Sequence, residues 1–333
     1  AELMDPQERL FLETAWQALE DAGYAGRALR RRRVGVFVGV MWGQYELLGL
    51  EETLAGNPVT PMSFAASVAN RVSFFFDFHG PSLSVDTMCS SSLTALHLAC
   101  ESLRRGECEQ ALVGGVNLMV HPSKYLFLSE NRMLASDGRC RAFGSGGSGY
   151  VPGEGVGAVL LKPLSRAVAD GDHLHGIIRA TAVNHGGRAN GYTVPDPDAQ
   201  GTLIAEALAR SGVEPETLGY LEAHGTGTSL GDPIEISGLG KAFAGRVPAG
   251  WRCAIGSVKS NIGHLEAAAG IAGLTRLLLQ LRHRQLAPSL HARELNPYID
   301  FSRTPFRVQQ ELEPWPEPRT ADGRSTPRRA GLS

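Results

Sequence analysis

Apolar positions along the chain follow two spacings, one typical of amphipathic helices and one of buried strands. Residues 7–22 carry apolar side chains three and four positions apart, and Gly23 follows as a helix terminator. Short apolar runs between turn residues predict buried strands. The predicted strands are 34–40, 82–86, 110–116, 155–161, 174–183, 218–223 and 253–258, and the predicted helices are 7–22, 91–105, 200–211, 233–243 and 265–284.

Strands and helices alternate through most of this order, which predicts a layered α/β fold. Residues 1–165 and 166–333 repeat a similar order of elements, although no repeat of fixed period relates them. No long linker separates the halves, so we expect a single domain over 1–333. The stretch 119–141 is predicted to be rich in loops, and the proline-rich 288–333 is predicted to be an irregular surface strap.

Composition narrows the class of protein. The chain has 333 residues, 43% of them hydrophobic, and a net charge of −2. This balance gives no support for a nucleic-acid partner or a membrane surface. Five cysteines without paired spacing fit a reducing compartment, and the first residues predict a helix rather than a secretory signal. We therefore expect a cytoplasmic protein.

Cys89 lies where a predicted strand meets the start of a predicted helix. The unpaired N–H groups at a helix N-terminus favour the thiolate, so this position suits a reactive cysteine. A single cysteine is more often a small buried hydrophobe, which is what we expect of the other four. Those four are Cys100, Cys108, Cys140 and Cys253.

His224 and His264 each follow a predicted strand in the second half of the chain, beside glycine-rich sequence. Open α/β sheets bind ligands at the carboxyl ends of their strands. One such histidine alone would more often be a core residue. Two at equivalent strand ends, together with Cys89, favour an active site.

Three stretches around these residues resemble the active-site motifs of β-ketoacyl synthases. They are DTMCSSS (86–92), EAHGTGT (222–228) and KSNIGH (259–264), and they are most similar to the ketosynthase domains of modular polyketide synthases. The resemblance runs through nearly the whole chain. Further matching stretches are DPQERL (5–10), GEGVG (153–157) and GDPIE (231–235).

Other stretches resemble the type of ketosynthase whose acyltransferase is a separate protein, the trans-acyltransferase type. These are VMWGQY (40–45), Met88, GYVPGE (149–154) and GYTVP (191–195). Variation in residues that only line the pocket is the alternative explanation.

The resemblance implies a thiolase-like fold, with two βαβαβαββ halves in αβαβα layers. Family members usually begin with a strand before residue 5 and end with a glycine-rich segment beyond residue 333. We therefore expect a chain truncated at both ends, lacking the first strand and the last strands, and unstable or inactive without them. The loop FGSGGS (143–148) also lacks the acid that the family usually carries after Phe.

The resemblance also implies roles for the active-site residues. Cys89 would accept the acyl chain, and His224 and His264 would donate hydrogen bonds to a thioester oxygen. Lys259 would support the second histidine and keep it neutral. Glu235 is either a counter-charge for Lys259 or an N-terminal cap and first-turn acid of a helix, and the second explanation also applies to Asp232.

Four further residues are assigned by position in the motifs. Asn261 would support the histidine motif, and Met88 would line the substrate pocket. Thr226 and Thr228 would bind the phosphopantetheine arm of a carrier protein, or serve only the turn. We expect no metal and no cofactor of its own, because the carrier protein brings the phosphopantetheine.

The function implied is decarboxylative Claisen condensation of an acyl chain on Cys89 with malonyl-acyl carrier protein. The main alternative is a non-elongating ketosynthase that only transfers the acyl chain, and a third is a structural partner subunit. Expected partners are acyl carrier protein domains and a second copy of the chain, paired through residues 82–86. A papain-like hydrolase, a zinc site and a dinucleotide fold lack their signatures here.

The arginine run 30–33 is the one dense positive patch in the sequence. It is either a solvated segment before a strand or a docking site for an acidic carrier protein.

Overall fold

The computed structural model describes residues 3–24, 28–189, 191, 194–320 and 322–333. The chain divides into two compact units, each built from three stretches. The first unit is Ala1–Asn131, Gly153–His175 and Leu265–Ala272, and the second is Arg132–Pro152, Gly176–His264 and Gly273–Ser333.

The first unit is built on a four-stranded sheet with helices packed against it. Its sheet order is β2-β1-β3-β4, in which β1, β2 and β3 are parallel and β4 runs antiparallel to β3. A 3-10 turn at Glu266–Ala268 also belongs to this unit. The elements are α1 (Pro6–Asp21), β1 (Val34–Gly39), α2 (Tyr45–Leu54), α3 (Ala65–Phe76), β2 (Ser82–Val85), α4 (Ser91–Arg104), β3 (Gln110–Asn117), α5 (Ser123–Glu130), β4 (Gly155–Leu161) and α6 (Leu164–Asp170).

Buried β-branched and aromatic residues fix this sheet. All six residues of β1 are buried, as expected for a central strand covered on both faces. Phe11 and Val72, from α1 and α3, join Val36 and Leu112 of the sheet in one core. The side chain of Asp5 caps α1 by accepting the Gln7 N–H at 2.8 Å.

The second unit has a parallel four-stranded sheet in the order β10-β5-β6-β8 and a small antiparallel pair, β7 with β9. The helix α10 begins in the first unit and continues in the second. The elements are α7 (Pro197–Ser211), β5 (Leu218–Glu222), α8 (Gly231–Phe243), β6 (Cys253–Gly256), α9 (Lys259–Ile262), α10 (Ala269–His283), β7 (Gln285–Leu286), β8 (Phe306–Val308), β9 (Glu313–Pro314) and β10 (Arg329–Leu332).

Most predicted elements are found within a few residues of their expected bounds, but two predictions were wrong. Every residue of 174–183 is described and none lies in a strand, because this segment crosses from one unit to the other and does not join either sheet. The stretch 288–333 holds three strands rather than an irregular strap, and two of them join the sheet of the second unit. The stretch 119–141 is rich in loops, as predicted, and also contains the eight-residue helix α5.

The arginine run 30–33 is matched by acidic side chains. Arg30 binds Asp77 at 2.8 Å, and Arg32 and Arg33 lie 3.3 and 3.7 Å from Glu109. These exposed pairs favour the first explanation, a solvated segment before β1.

Among the described residues, no helix is both long enough and apolar enough to cross a membrane.

Candidate active site

In the first unit, Cys89 lies in a tight turn between β2 and α4. The preceding Met88 is in the left-handed region, with φ +59°. Its N–H donates to Asp86 Oδ1 at 2.9 Å, and its carbonyl accepts from Ser91 Oγ at 2.5 Å. Ser91 Oγ in turn accepts the Thr87 N–H at 2.9 Å. A non-glycine residue in this conformation is strained and persists only when neighbours hold it, so these bonds fix the sulfur at the start of α4.

Cys89 also differs from the other cysteines in exposure. It is half-buried, whereas the other four are buried. Burial raises the pKa of each of those four thiols, which makes them poor nucleophiles at neutral pH. The expectation that they are small core residues is confirmed. Those four are Cys100, Cys108, Cys140 and Cys253.

In the second unit, His224 follows β5 at the start of a glycine-rich loop held by Glu235. The Glu235 carboxylate accepts the N–H groups of His224 at 2.7 Å and Gly225 at 2.9 Å. Gly225 has φ +42°, and a Cβ there would lie 2.8 Å from the Ser257 Cβ, so glycine is required. Glu235 therefore fixes the backbone that carries His224, a use that neither sequence explanation gave it.

Asp232 holds the far end of the same loop. Its carboxylate accepts the N–H of Phe143 at 2.7 Å and that of Gly227 at 3.2 Å. Phe143 is buried and left-handed, with φ +60°. Burial raises the pKa of Asp232 to about 7, against the lowering effect of these bonds. Asp232 lies in the first turn of α8, as predicted, but it does not cap the helix and instead ties the 143–148 loop to the histidine loop.

His264 lies beside His224 in the second unit. Its backbone N–H donates to the Val151 carbonyl at 2.8 Å. Its ring packs edge to face against the Tyr150 ring, with 4.8 Å between the ring centroids. The His224 and His264 rings are 5.4 Å apart and nearly perpendicular. The structure thus brings together the two histidines that the motifs predicted.

Electrostatics keep His224 neutral. Burial, and then the positive charge of Lys259, lower the pKa of His224 to about 3. Lys259 is itself buried, and its charge also lowers the pKa of Glu235 against the larger raising effect of burial. The charges of Lys259 and Glu235 thus favour each other, and the role of Glu235 as a counter-charge stays a prediction. A neutral imidazole at this position can donate one hydrogen bond.

The low pKa of His224 makes stability depend on pH. The unfolded imidazole binds a proton below about 6.5, whereas the folded one stays neutral to a much lower pH. This contribution is complete above pH 6.5 and is lost as the pH falls from 6.5 toward 3. We expect the free energy of unfolding in urea to fall less between pH 7 and pH 4.5 for His224→Asn than for the wild type. An equal fall in both proteins would contradict a neutral His224 in the folded state.

Two protein-family models match the chain and identify its family. Residues 1–167 match the β-ketoacyl synthase N-terminal domain, and residues 175–293 match the β-ketoacyl synthase C-terminal domain. The chain belongs to the β-ketoacyl synthase family. Members of this family are acyltransferases that form carbon–carbon bonds.

Curated relatives place the ketosynthase among polyketide synthases. It is 59% identical to part of polyketide synthase PksL of Bacillus subtilis, with 100% of this chain covering 8% of that protein. It is 64% identical to part of polyketide synthase ThaG of Burkholderia thailandensis, over 96% of this chain and 6% of that protein. The chain thus spans a small part of these relatives, and the resemblance to polyketide synthase ketosynthases is confirmed.

The fold of this chain is similar to the folds of solved ketosynthase structures. An oxazolomycin ketosynthase domain of Streptomyces albus, OzmH KS7, superposes with a TM-score of 0.96 at 60% identity, over 99% of this chain and 57% of that one. The module 6 ketosynthase of the Bacillus subtilis bacillaene synthase gives 0.91 at 44% identity, over 99% and 56%. The fold is thiolase-like, as the motifs implied.

The remaining predicted residues of the ketosynthase lie in different settings. Thr228 Oγ1 accepts the Gly231 N–H at 3.0 Å, so it serves the turn, and Thr226 is half-buried in the same loop. Asn261 is exposed on α9 and accepts from Ser260 Oγ at 3.2 Å. Met88 is 56% exposed.

Two contacts at or near the histidine pair were not predicted. Tyr150 packs against His264, whereas the motif 149–154 in the sequence indicates only the type of ketosynthase. Asp232 reaches Phe143 from 89 positions away, and no spacing in the sequence signals that bond. Tyr192 and Thr193, in the motif 191–195, lie outside the described residues.

Proposed function

We propose that the ketosynthase extends a polyketide by decarboxylative Claisen condensation of an acyl chain on Cys89 with malonyl-acyl carrier protein. The observation that carries the proposal is the pair of adjacent imidazoles, His224 and His264, of which His224 is kept neutral by burial and by Lys259. A neutral imidazole carries one N–H group, which can donate a hydrogen bond to an oxygen on which negative charge develops.

The first step loads the acyl chain. The Cys89 thiolate attacks the carbonyl carbon of an acyl thioester on a carrier protein. A new carbon–sulfur bond forms to Cys89, the bond to the carrier sulfur breaks, and the carrier sulfur leaves as a thiolate that takes up a proton from water. The half-buried sulfur at the start of α4 supports this role.

The second step joins two acyl units. The malonyl thioester loses carbon dioxide, and its enolate attacks the carbonyl carbon of the Cys89 thioester. A carbon–carbon bond forms, the bond to Cys89 sulfur breaks, and the β-ketoacyl product stays on the second carrier. We assign His224 and His264 to donate hydrogen bonds to the thioester oxygen on which negative charge develops. One such donor typically contributes about 2.7–4 kcal/mol to the transition state.

Transfer without condensation is the second candidate function. In this family, non-elongating ketosynthases often lose the histidine that corresponds to His224. Here His224 is present, and Glu235 holds its backbone at 2.7 Å, which favours elongation.

An experiment separates the two functions. The full-length ketosynthase domain is acylated, and malonyl-loaded carrier is added in one sample and unloaded carrier with a free phosphopantetheine thiol in another. Elongation predicts a β-ketoacyl product in the first sample. An acyl-Cys89 that moves to the unloaded carrier but never condenses would establish the alternative.

The proposed partners are acyl carrier protein domains, whose phosphopantetheine arm presents amides and a thioester. Thr226 and Thr228 lie in the His224 loop, and we assign them to the arm. The Thr228 hydroxyl accepts from Gly231, so its own proton remains available for donation. We also assign the ketosynthase to the type with a separate acyltransferase. The matches at 40–45 and 149–154 support this assignment.

We further propose a homodimer that forms through β2. This strand is an edge of its sheet, and two apolar side chains there are exposed, Leu83 on β2 at 45% and Phe74 on α3 at 86%. Exposed edges and apolar patches are characteristic of interfaces.

The dimer is testable by placing a charge on β2. Near a two-fold axis such a charge meets its own copy, so Leu83→Asp is expected to raise the dimer dissociation constant by at least roughly a hundredfold. Light scattering after size-exclusion chromatography measures it. The matched control is Leu54→Asp, at an exposed position on α2. A Leu83→Asp protein that remains as dimeric as the control would refute the interface.

A further inference from the structure

The first unit contains a buried ion pair that the proposed chemistry does not use. Lys124 Nζ lies 2.5 Å from Glu266 Oε2, and the two side chains are 0% and 1% exposed. Desolvating two charges costs several kcal/mol each, and a buried pair often contributes little net stability. Such a pair therefore calls for an explanation other than stability.

Further polar contacts fasten the pair in place. Asn117 Oδ1 accepts from Lys124 Nζ at 2.9 Å, and Trp42 Nε1 donates to Glu266 Oε2 at 2.7 Å. The Lys124 ammonium also lies 5.3 Å from the centre of the Trp42 ring. Both charges are thus compensated, and the ammonium has a fixed position.

The topology of the sheet places this network at the same edge as Cys89. Trp42 follows β1, Asn117 ends β3, and Cys89 follows β2. Because these three strands are parallel, their carboxyl ends lie together. The network and the nucleophile therefore share one end of the sheet.

The segment that carries Glu266 also packs on the helix that carries the nucleophile. Glu266 is left-handed, with φ +45°, and begins the 3-10 turn. Just beyond that turn, the Ile271 N–H donates to Ser92 Oγ in α4 at 3.1 Å. A Cβ on Gly39 would lie 2.9 Å from the Ala267 carbonyl oxygen and 2.5 Å from the Ser92 nitrogen, so glycine lets these three backbones meet.

Lys124 interacts electrostatically with several acidic groups, and Cys89 is one of them. Burial lowers the pKa of Lys124, and the negative charges of Glu266, Glu154 and Cys89 act in the opposite direction. An interaction between two ionisable groups is mutual, so the ammonium that is stabilised by the Cys89 thiolate stabilises the thiolate equally. Asp86, which accepts the Met88 N–H, is the acid within the turn itself.

We propose that Lys124, fixed by Glu266, is a positioning residue that favours the thiolate form of Cys89. The inference rests on the proposed function, in which Cys89 is the nucleophile. It adds a buried cation to the helix N-terminus as a source of thiolate stabilisation.

The test is the pH profile of Cys89 alkylation by iodoacetamide in the protein, read from the mass of the Cys89 peptide. Lys124→Met removes the cation. If that single variant does not fold, because Glu266 is left buried without its partner, the double variant Lys124→Met/Glu266→Gln replaces both charges with neutral side chains. The control is Lys162→Met, because Lys162 is also enclosed, pairs with Asp170 and Asp172, and follows the antiparallel β4.

We expect both Lys124 variants to shift the alkylation midpoint to higher pH and to lower the rate at pH 7 by roughly five- to tenfold, with recovery at high pH. The Lys162→Met profile should match the wild type. A midpoint that is unchanged in the folded Lys124 variant would overturn the inference and leave the proposed function standing. A wild-type Cys89 that does not react at all would instead count against Cys89 as the nucleophile.

Discussion

Cys89→Ala is expected to abolish acyl transfer, lowering acylation of the protein by at least about a thousandfold. The sulfur is the atom that bonds the acyl carbon, and the other thiols are buried with raised pKa values. Stability should change little, because Cys89 is only half-buried. Intact-protein mass spectrometry after incubation with an acyl thioester measures the acylated fraction.

Cys100→Ala is the matched control for this change. Cys100 lies in the same helix, α4, but is buried. It should be acylated as the wild type is, with some loss of stability from the smaller side chain. Acylation that persists in Cys89→Ala, or that disappears in a folded Cys100→Ala, would refute the assignment of the nucleophile.

His264→Ala is expected to separate the two steps of the reaction. In our proposal the histidines stabilise charge on a thioester oxygen during condensation, and loss of one donor of this kind lowers the rate by roughly 10²–10³-fold. Acylation should fall much less. Rates of acyl-Cys89 formation and of its consumption by malonyl carrier, measured in single-turnover experiments, give the two effects separately.

Ile262→Ala is the control for this change, because Ile262 is exposed in the same motif. Both of its rates should stay close to those of the wild type. His264 is buried and packs on Tyr150, so folding of the His264 variant must be verified by circular dichroism. An equal loss of both steps in a folded His264→Ala protein would contradict the assigned role.

The sequence predicted local features of the fold better than long-range ones. The turn at Cys89 could be inferred because an apolar strand, a polar break and an amphipathic helix are contiguous in the chain. The strand β10 could not, because Arg329–Leu332 becomes a strand only by pairing with β5, more than a hundred residues away. The opposite error occurred at 174–183, where an apolar run predicted a strand that does not form. A strand also needs a neighbouring strand with free backbone groups to pair with.

The candidate site shows the same limit. The positions of His224 and His264 at strand ends suggested that they meet, and their rings lie 5.4 Å apart. The roles of Glu235 and Asp232 could not be predicted. Their carboxylates accept hydrogen bonds from backbone N–H groups of loops, and such bonds leave no pattern in the spacing of side chains. Lys124 was overlooked for a related reason, since a lone lysine in a sequence is ordinarily a solvated residue.

The most direct measurement of the proposed function is a single turnover with isotope-labelled malonyl carrier. Acylated protein is mixed with the labelled carrier, and the carrier-bound product is identified by mass spectrometry. We expect a β-ketoacyl carrier that contains the acyl chain and two labelled malonyl carbons, with one carbon dioxide released for each acyl-Cys89 consumed. Labelled carrier that stays unextended while the acyl group remains on Cys89 would contradict condensation by this ketosynthase.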